Sequence, residues 1–127
     1  MQQTTLRVIK LGGITVLDVN GQKFDAAFAM HLRKEVQPLL KEGAQFVLNL
    51  EDVNFMDSTG LGAIVYLQKK VYESAFDKKF LKLSGVKTEI NRLFQLARMD
   101  KVFLQHETVN DALEEFGLVD KYMEISR

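Results

Sequence analysis

The chain has 127 residues, 46% hydrophobic and 27% charged, with no low-complexity run, which suits one soluble domain around a single two- or three-layer core. Lysine plus arginine (17) balance aspartate plus glutamate (17), so no net field favours nucleic acid or an anionic membrane surface. The absence of cysteine excludes disulfides, thiol catalysis and thiolate metal sites. No apolar run approaches the roughly 18 residues that insert across a bilayer, and Met1 to Thr5 lack the basic-then-apolar pattern of a signal peptide, so the expectation is a cytoplasmic protein.

In chain order, Leu6 to Leu11 and Ile14 to Val19 read as two strands joined at Gly12-Gly13, a hairpin signal, and Asn20-Gly21 ends the second. Apolar residues at 24, 28, 32, 36, 39 and 40 predict a first helix over Phe24 to Leu40, with Asp25 early in it. Pro38 is expected to bend its last turns and Glu42-Gly43 to close it. A third strand spans Gln45 to Leu50, and a second helix follows a linking loop over residues 58–75. Phe80 to Ser84 reads as a fourth strand and Gly85 as a break. A third helix over 87–98 carries Ile90, Leu93, Phe94 and Ala97 on its buried face. Val102-Phe103-Leu104 is a short fifth strand. Thr108 caps a last helix through Phe116 that carries Val109, Ala112 and Leu113 inward, and Gly117 ends it. Strands that alternate with helices from residue 44 onward imply parallel pairing with right-handed crossovers, while the initial hairpin adds an antiparallel element. The fold class is therefore α/β, a mixed and mainly parallel central sheet of about five strands with about four helices. Residues 1–117 form the domain. In the tail, 118–127, Leu118-Val119 and Tyr122-Met123 are apolar enough to pack on the sheet or on a second copy as a homodimer.

The most informative segment is Phe55-Met56-Asp57-Ser58-Thr59-Gly60-Leu61-Gly62, between the third strand and the second helix. Asp57, Ser58 and Thr59 crowd the point where that helix begins. All three are ordinary N-cap residues, each contributing about 1 kcal/mol with no function attached. The glycines argue for more. Each costs about 1 kcal/mol against alanine inside a helix, so stability alone would not place Gly60 and Gly62 in the first turns. A hydroxyl at a helix N-terminus is also where a covalent phosphate would meet unpaired N–H groups and the positive end of the dipole. The bare backbone at the glycines would let another protein approach closely. The reading is a switchable docking site.

With the order β-β-α-β-α-β-α-β-α, this motif resembles the STAS domain family, which includes bacterial anti-sigma-factor antagonists and the cytoplasmic tails of sulfate transporters. The resemblance covers about residues 4–117. Asp57-Ser58-Thr59-Gly60-Leu61-Gly62 is close to the antagonist form of the motif, with weaker support from Val47-Leu48-Asn49-Leu50 and Arg92-Leu93-Phe94. Gly21-Gln22-Lys23-Phe24-Asp25 is one residue longer than the Gly-x-x-Asp usual after the second strand, and Ala75 to Lys79 stands where glycines are common.

The resemblance implies that Ser58 accepts phosphate from a partner serine kinase that is also the anti-sigma factor. Unmodified protein binds this kinase and releases the sigma factor; modified protein does not. A separate serine phosphatase would restore the unmodified form. Asp25, Asp57, Ser58, Thr59, Gly60, Leu61 and Gly62 are the expected partner-binding residues, since the family places the Asp25 loop beside the phosphorylation site. Thr59 is the alternative acceptor. Asp57 reads as a cap and partner contact, and Met56 and Leu61 as core residues flanking the site.

Enzyme readings fare badly. A serine nucleophile needs a histidine within reach, and His31 (mid-helix) and His106 (in a late loop) belong to no such pattern. There is no phosphate-binding Gly-x-x-x-x-Gly-Lys loop or Gly-x-Gly-x-x-Gly fingerprint, and two histidines without cysteine make a poor transition-metal site. A phospho-aspartate receiver would need an acidic pair where Lys10-Leu11-Gly12-Gly13 stands. No cofactor is expected. Lys69 and Lys70 project away from the apolar face of the second helix. The competing use of the same fold is a non-switching subunit of a lipid-transport complex or a stress-signalling assembly.

Overall fold

The computed structural model describes residues 3–40, 45–74 and 81–117. The expected helix stop at Glu42-Gly43, the Ala75 to Lys79 segment, the start of the fourth strand at Phe80 and the tail 118–127 lie outside them. Within them the chain runs β1 (Thr5–Leu11), β2 (Ile14–Asn20), β3 (Lys23–Phe24), α1 (Ala26–Val36), a 3-10 turn (Gln37–Leu39), β4 (Gln45–Asn49), β5 (Phe55–Met56), α2 (Ser58–Ser74), β6 (Leu81–Ser84), α3 (Thr88–Leu96), β7 (Leu104–His106) and α4 (Val109–Phe116).

Five strands form one mixed sheet in the order β1-β2-β4-β6-β7. The β1–β2 hairpin is antiparallel, with Leu11 opposite Ile14 across a two-residue turn. Gly12 takes a left-handed φ of 61° there, a conformation that a side chain disfavours. The remaining pairs, β2–β4, β4–β6 and β6–β7, are parallel. The expected five-stranded, mainly parallel sheet with four helices is what forms.

Helices cover both faces. α1, α2 and α3 bury Phe28, Leu32, Ile64, Leu67, Ile90 and Phe94 against Leu17, Val19, Phe46, Leu48, Leu81 and Leu83 of the sheet. On the other face α4 seats Val109, Ala112 and Leu113 on Ile9, Leu11, Ile14, Val16 and Val47. Because both faces of β4 are covered, Phe46 through Leu50 is buried without alternation, which is why it reads as an apolar run interrupted only by Asn49. Complete burial of each large aliphatic or aromatic side chain contributes about 1.5–3 kcal/mol.

Several local expectations are corrected. Phe24 does not open the first helix; it lies in β3, and Asp25 caps α1 from outside. The α-helix stops at Val36, and Pro38 sits in the separate 3-10 turn rather than bending α-helical turns. Proline has no N–H to donate and tolerates such a helix start. The linking loop before α2 contains β5, which pairs in parallel with β3 as a two-stranded sheet of its own. The third helix is shorter than expected. It ends at Leu96, so Ala97 is its C-cap and is exposed rather than buried. The fifth strand is shifted toward the C-terminus: Val102 is exposed, Phe103 packs its ring 5.1 Å from that of Phe94, and the strand itself is Leu104–His106. His106 thus ends a strand rather than lying in a loop. The Thr108-capped last helix forms as expected, the Thr108 hydroxyl accepting the Asp111 N–H at 3.1 Å.

Candidate functional site

The small β3–β5 pair organises the site. Its register sets Phe24 beside Met56, so the residues that follow, Asp25 and Asp57, leave two neighbouring parallel strands side by side. Each then caps a helix. Asp25 accepts the Phe28 N–H at 3.1 Å and opens α1, and Asp57 accepts the Gly60 N–H at 2.9 Å and opens α2. Backbone bonds from Ala29 to the Asp25 carbonyl and from Leu61 to the Asp57 carbonyl begin the two helical ladders. Two helix N-termini, each with its carboxylate, therefore start at one edge of the molecule.

The loop that delivers Asp57 is shaped from behind. At the end of β4, Asn49 accepts the Glu51 N–H at 3.2 Å on its side-chain oxygen, an Asx turn that bends the chain out of the sheet. Asn54 and Phe55 donate their N–H groups to the Gln22 carbonyl, which brings β5 up to β3. Asn49 also anchors a buried polar row. Its amide donates to Asp18 at 2.9 Å, and the Ser84 hydroxyl reaches its oxygen at 3.4 Å. Asp18, Asn49, Ser84 and His106 occupy matched positions on β2, β4, β6 and β7.

The capping question has a direct answer. Asp57, not Ser58, caps α2. Ser58 is the first residue of the helix, exposed, and its hydroxyl has no hydrogen-bond partner among the described residues. The start of a helix also leaves the amides of Ser58 and Thr59 without intrahelical acceptors. Thr59 is exposed as well.

The two glycines have different reasons to exist. Gly60 is buried. A Cβ there would stand 2.5 Å from the Phe24 carbonyl oxygen and 2.8 Å from the Met56 side chain, so its bare backbone is filled by this chain's own β3. The open-approach argument holds for Gly62, where a Cβ would meet only the Arg33 guanidinium, at 3.7 Å. Met56 and Leu61 are core residues, and Phe55, exposed at 48%, is the apolar side chain left outside beside them.

Sequence reasoning passed over Arg33 and Tyr66, which border this site. The Arg33 guanidinium lies 4.7 Å from the centre of the Tyr66 ring, and the Tyr66 hydroxyl is hydrogen-bonded by Gln37. Asn49 carried a usable signal, a lone amide in an otherwise apolar strand. Arg33 carried none, because nothing local to α1 says which helix it faces. Of the other polar residues singled out, Lys69 is exposed, and Lys70 pairs with Glu73 at 3.6 Å. His31 is exposed on α1 near the Phe28 ring.

Comparison with known proteins places this geometry in context. The family profile of the STAS domain matches residues 5–112. Over 80 residues the chain is 34% identical to the anti-sigma-B factor antagonist of Bacillus subtilis, an overlap of 63% of this chain and 71% of that protein. An anti-sigma factor antagonist from Mycobacterium paratuberculosis has a similar structure, with a TM-score of 0.73 at 23% identity over 89% of this chain and 93% of that one. The anti-sigma factor antagonist SpoIIAA in its unphosphorylated form gives 0.73 at 16% identity, covering 88% of this chain and 96% of its own. The Bacillus cell fate determinant SpoIIAA in its phosphorylated form gives 0.67 at 17% identity, covering 90% and 99%. At such identities the structural likeness speaks to the fold alone.

Proposed function

The chain belongs to the STAS domain family, and on that premise we propose that it is an anti-sigma-factor antagonist whose docking is switched by phosphorylation of Ser58. The observation that carries this reading is the division of labour at the start of α2. Asp57 performs the capping, which leaves the exposed Ser58 hydroxyl without a structural task. The names of the sequence relatives support the same assignment.

In this reading the unmodified surface of Asp25, Asp57, Ser58, Thr59 and Gly62, with the exposed Phe55, receives an anti-sigma factor that is also a serine kinase. Gly60 and Leu61 act from beneath, holding the helix start against β3. The partner holds a nucleoside triphosphate. The Ser58 Oγ attacks its γ-phosphorus, the bond to the β-phosphate oxygen breaks, and the hydroxyl proton passes to a base of the kinase as the diphosphate leaves. The chain supplies the acceptor and no catalysis of its own. Phosphate adds about −1.5 to −2 of charge beside the carboxylates of Asp57 and Asp25, and this charge and bulk eject the partner. A serine phosphatase reverses the step by hydrolysis.

The test is a pull-down from extract of the native host with wild type, Ser58→Ala and Ser58→Glu as bait. A small ATP-binding serine kinase retained by wild type and Ser58→Ala and lost with Ser58→Glu is the expected result. Retention of one partner by all three baits, a transporter ATPase for instance, overturns the switch.

A further inference from the structure

Ser58, Gly62 and Tyr66 are spaced four residues apart on α2 and so line one flank of the helix, each about 6 Å along the axis from the next. Arg33, from the packed helix α1, lies along this flank. Its guanidinium rests on the Tyr66 ring at 4.7 Å, and one of its terminal nitrogens is 3.7 Å from where a Gly62 side chain would begin. Gln37 holds the Tyr66 hydroxyl, so the ring is a fixed platform. The guanidinium is therefore one helical turn from Ser58, with no side chain at Gly62 between them. Arginine suits both positions: its planar cation stacks on an aromatic face, and its fork of N–H groups matches phosphate oxygens in pairs.

The need for such a cation follows from the site itself. Asp57 and Asp25 place two carboxylates beside the acceptor, and Asp57 already occupies the Gly60 N–H. A phosphate on Ser58 would meet these two like charges, which the Ser58 and Thr59 amides and the helix dipole offset in part.

We propose that Arg33 is the built-in counter-ion of a phosphate on Ser58, with the Tyr66 ring as its resting place and Gly62 as the open lane between the two. This rests on Ser58 being the modified residue. On phosphorylation the guanidinium leaves the ring and pairs with the phosphate oxygens. The modification then alters the partner surface twice, by adding an anion at the start of α2 and by removing a cation from the Tyr66 platform one and two turns further on.

The experiment places phosphoserine at position 58 during synthesis, so that no kinase is required, and titrates it by phosphorus NMR. Wild type, Arg33→Gln, Arg33→Lys and Tyr66→Leu are compared at low and high salt. In wild type the phosphate should lose its second proton at a pH lower by about half a unit or more than in Arg33→Gln, as expected for an ion pair. Arg33→Lys should recover part of that difference, and added salt should shrink it. Tyr66→Leu, which removes the resting place and leaves the cation, should keep the low value. The Arg33 side-chain protons of wild type should also lose the ring-current shift of Tyr66 when phosphoserine replaces serine. Identical titrations in wild type and Arg33→Gln, both folded by circular dichroism, overturn the proposal. If instead no kinase modifies Ser58 in the native host, the switch fails and the titration still decides the ion pair.

Discussion

At the scale of single residues, the two glycines of the motif differ in what the fold asks of them. Gly60 is needed by the fold, because a methyl group there would collide with the Phe24 carbonyl at 2.5 Å. Gly62 is not, because its nearest neighbour would sit at ordinary contact distance. Opposite effects on stability are expected. Gly60→Ala should destabilise by about 1–3 kcal/mol, as overpacking against backbone does. Gly62→Ala should stabilise by about 0.5–1 kcal/mol, the difference in helix propensity. Urea unfolding of the two variants measures both; a Gly60→Ala protein as stable as wild type would mean that α2 is not seated on β3. The motif's pair of glycines was visible in the sequence, and so was their cost in a helix. Which one serves the fold was not, because that depends on a carbonyl 36 residues earlier in the chain.

At the scale of elements, the strands and helices that periodicity announces are the ones packed on the main sheet: the β1–β2 hairpin, β4, α2 and α4. The two-residue strands β3 and β5 are too short to show any alternation, yet they set Asp25 beside Asp57 and so bring the two helix starts of the candidate site together. What holds the second of these in place is the turn after β4, and that turn depends on Asn49. Asn49→Ala would strip the hydrogen-bond donor from buried Asp18 and the acceptor from the Glu51 amide. The expected loss is about 2–3 kcal/mol, the range for leaving a buried polar group unpaired. Because the same change loosens the path to β5, amide exchange at Phe55 and Met56 should accelerate more than at Leu17 or Val19. Uniform exchange through the molecule would show that the row stabilises the sheet without positioning the site.

At the scale of the whole molecule, the sheet separates two apolar layers of unequal size, a large one under α1, α2 and α3 and a small one under α4. His106, at the end of β7, lies among the charges of β6 and of α4, the helix that covers the small layer. Burial holds the pKa of His106 below its ordinary 6.5, Lys82 adds to this, and Glu115 and Asp111 of α4 oppose it. The folded protein thus takes up this proton less readily than the unfolded chain. The stability that follows is present above pH 6.5 and is lost as pH falls through that value and on through the lower folded pKa. Thermal melts across that window should show wild type losing more stability than His106→Gln. Parallel losses would assign acid sensitivity to the carboxylates instead.

Local pattern in the chain was enough to give the class of fold, the helix cap at Thr108, the buried run of β4 and the position of the acidic, hydroxyl-rich start of α2. All of these follow from interactions within a few residues, namely helical spacing, side-chain caps and the burial of a strand on both faces. The tertiary structure alone decided the rest. It left Ser58 out of the capping of α2, placed Phe24 under Gly60, set Asp25 against Asp57 and laid Arg33 along the flank of α2. The choice of cap depends on where the chain leaves β5, and the others join residues 29–36 positions apart in the chain. Their pairing is set by how two helices and two short strands pack, and local propensity carries no record of it.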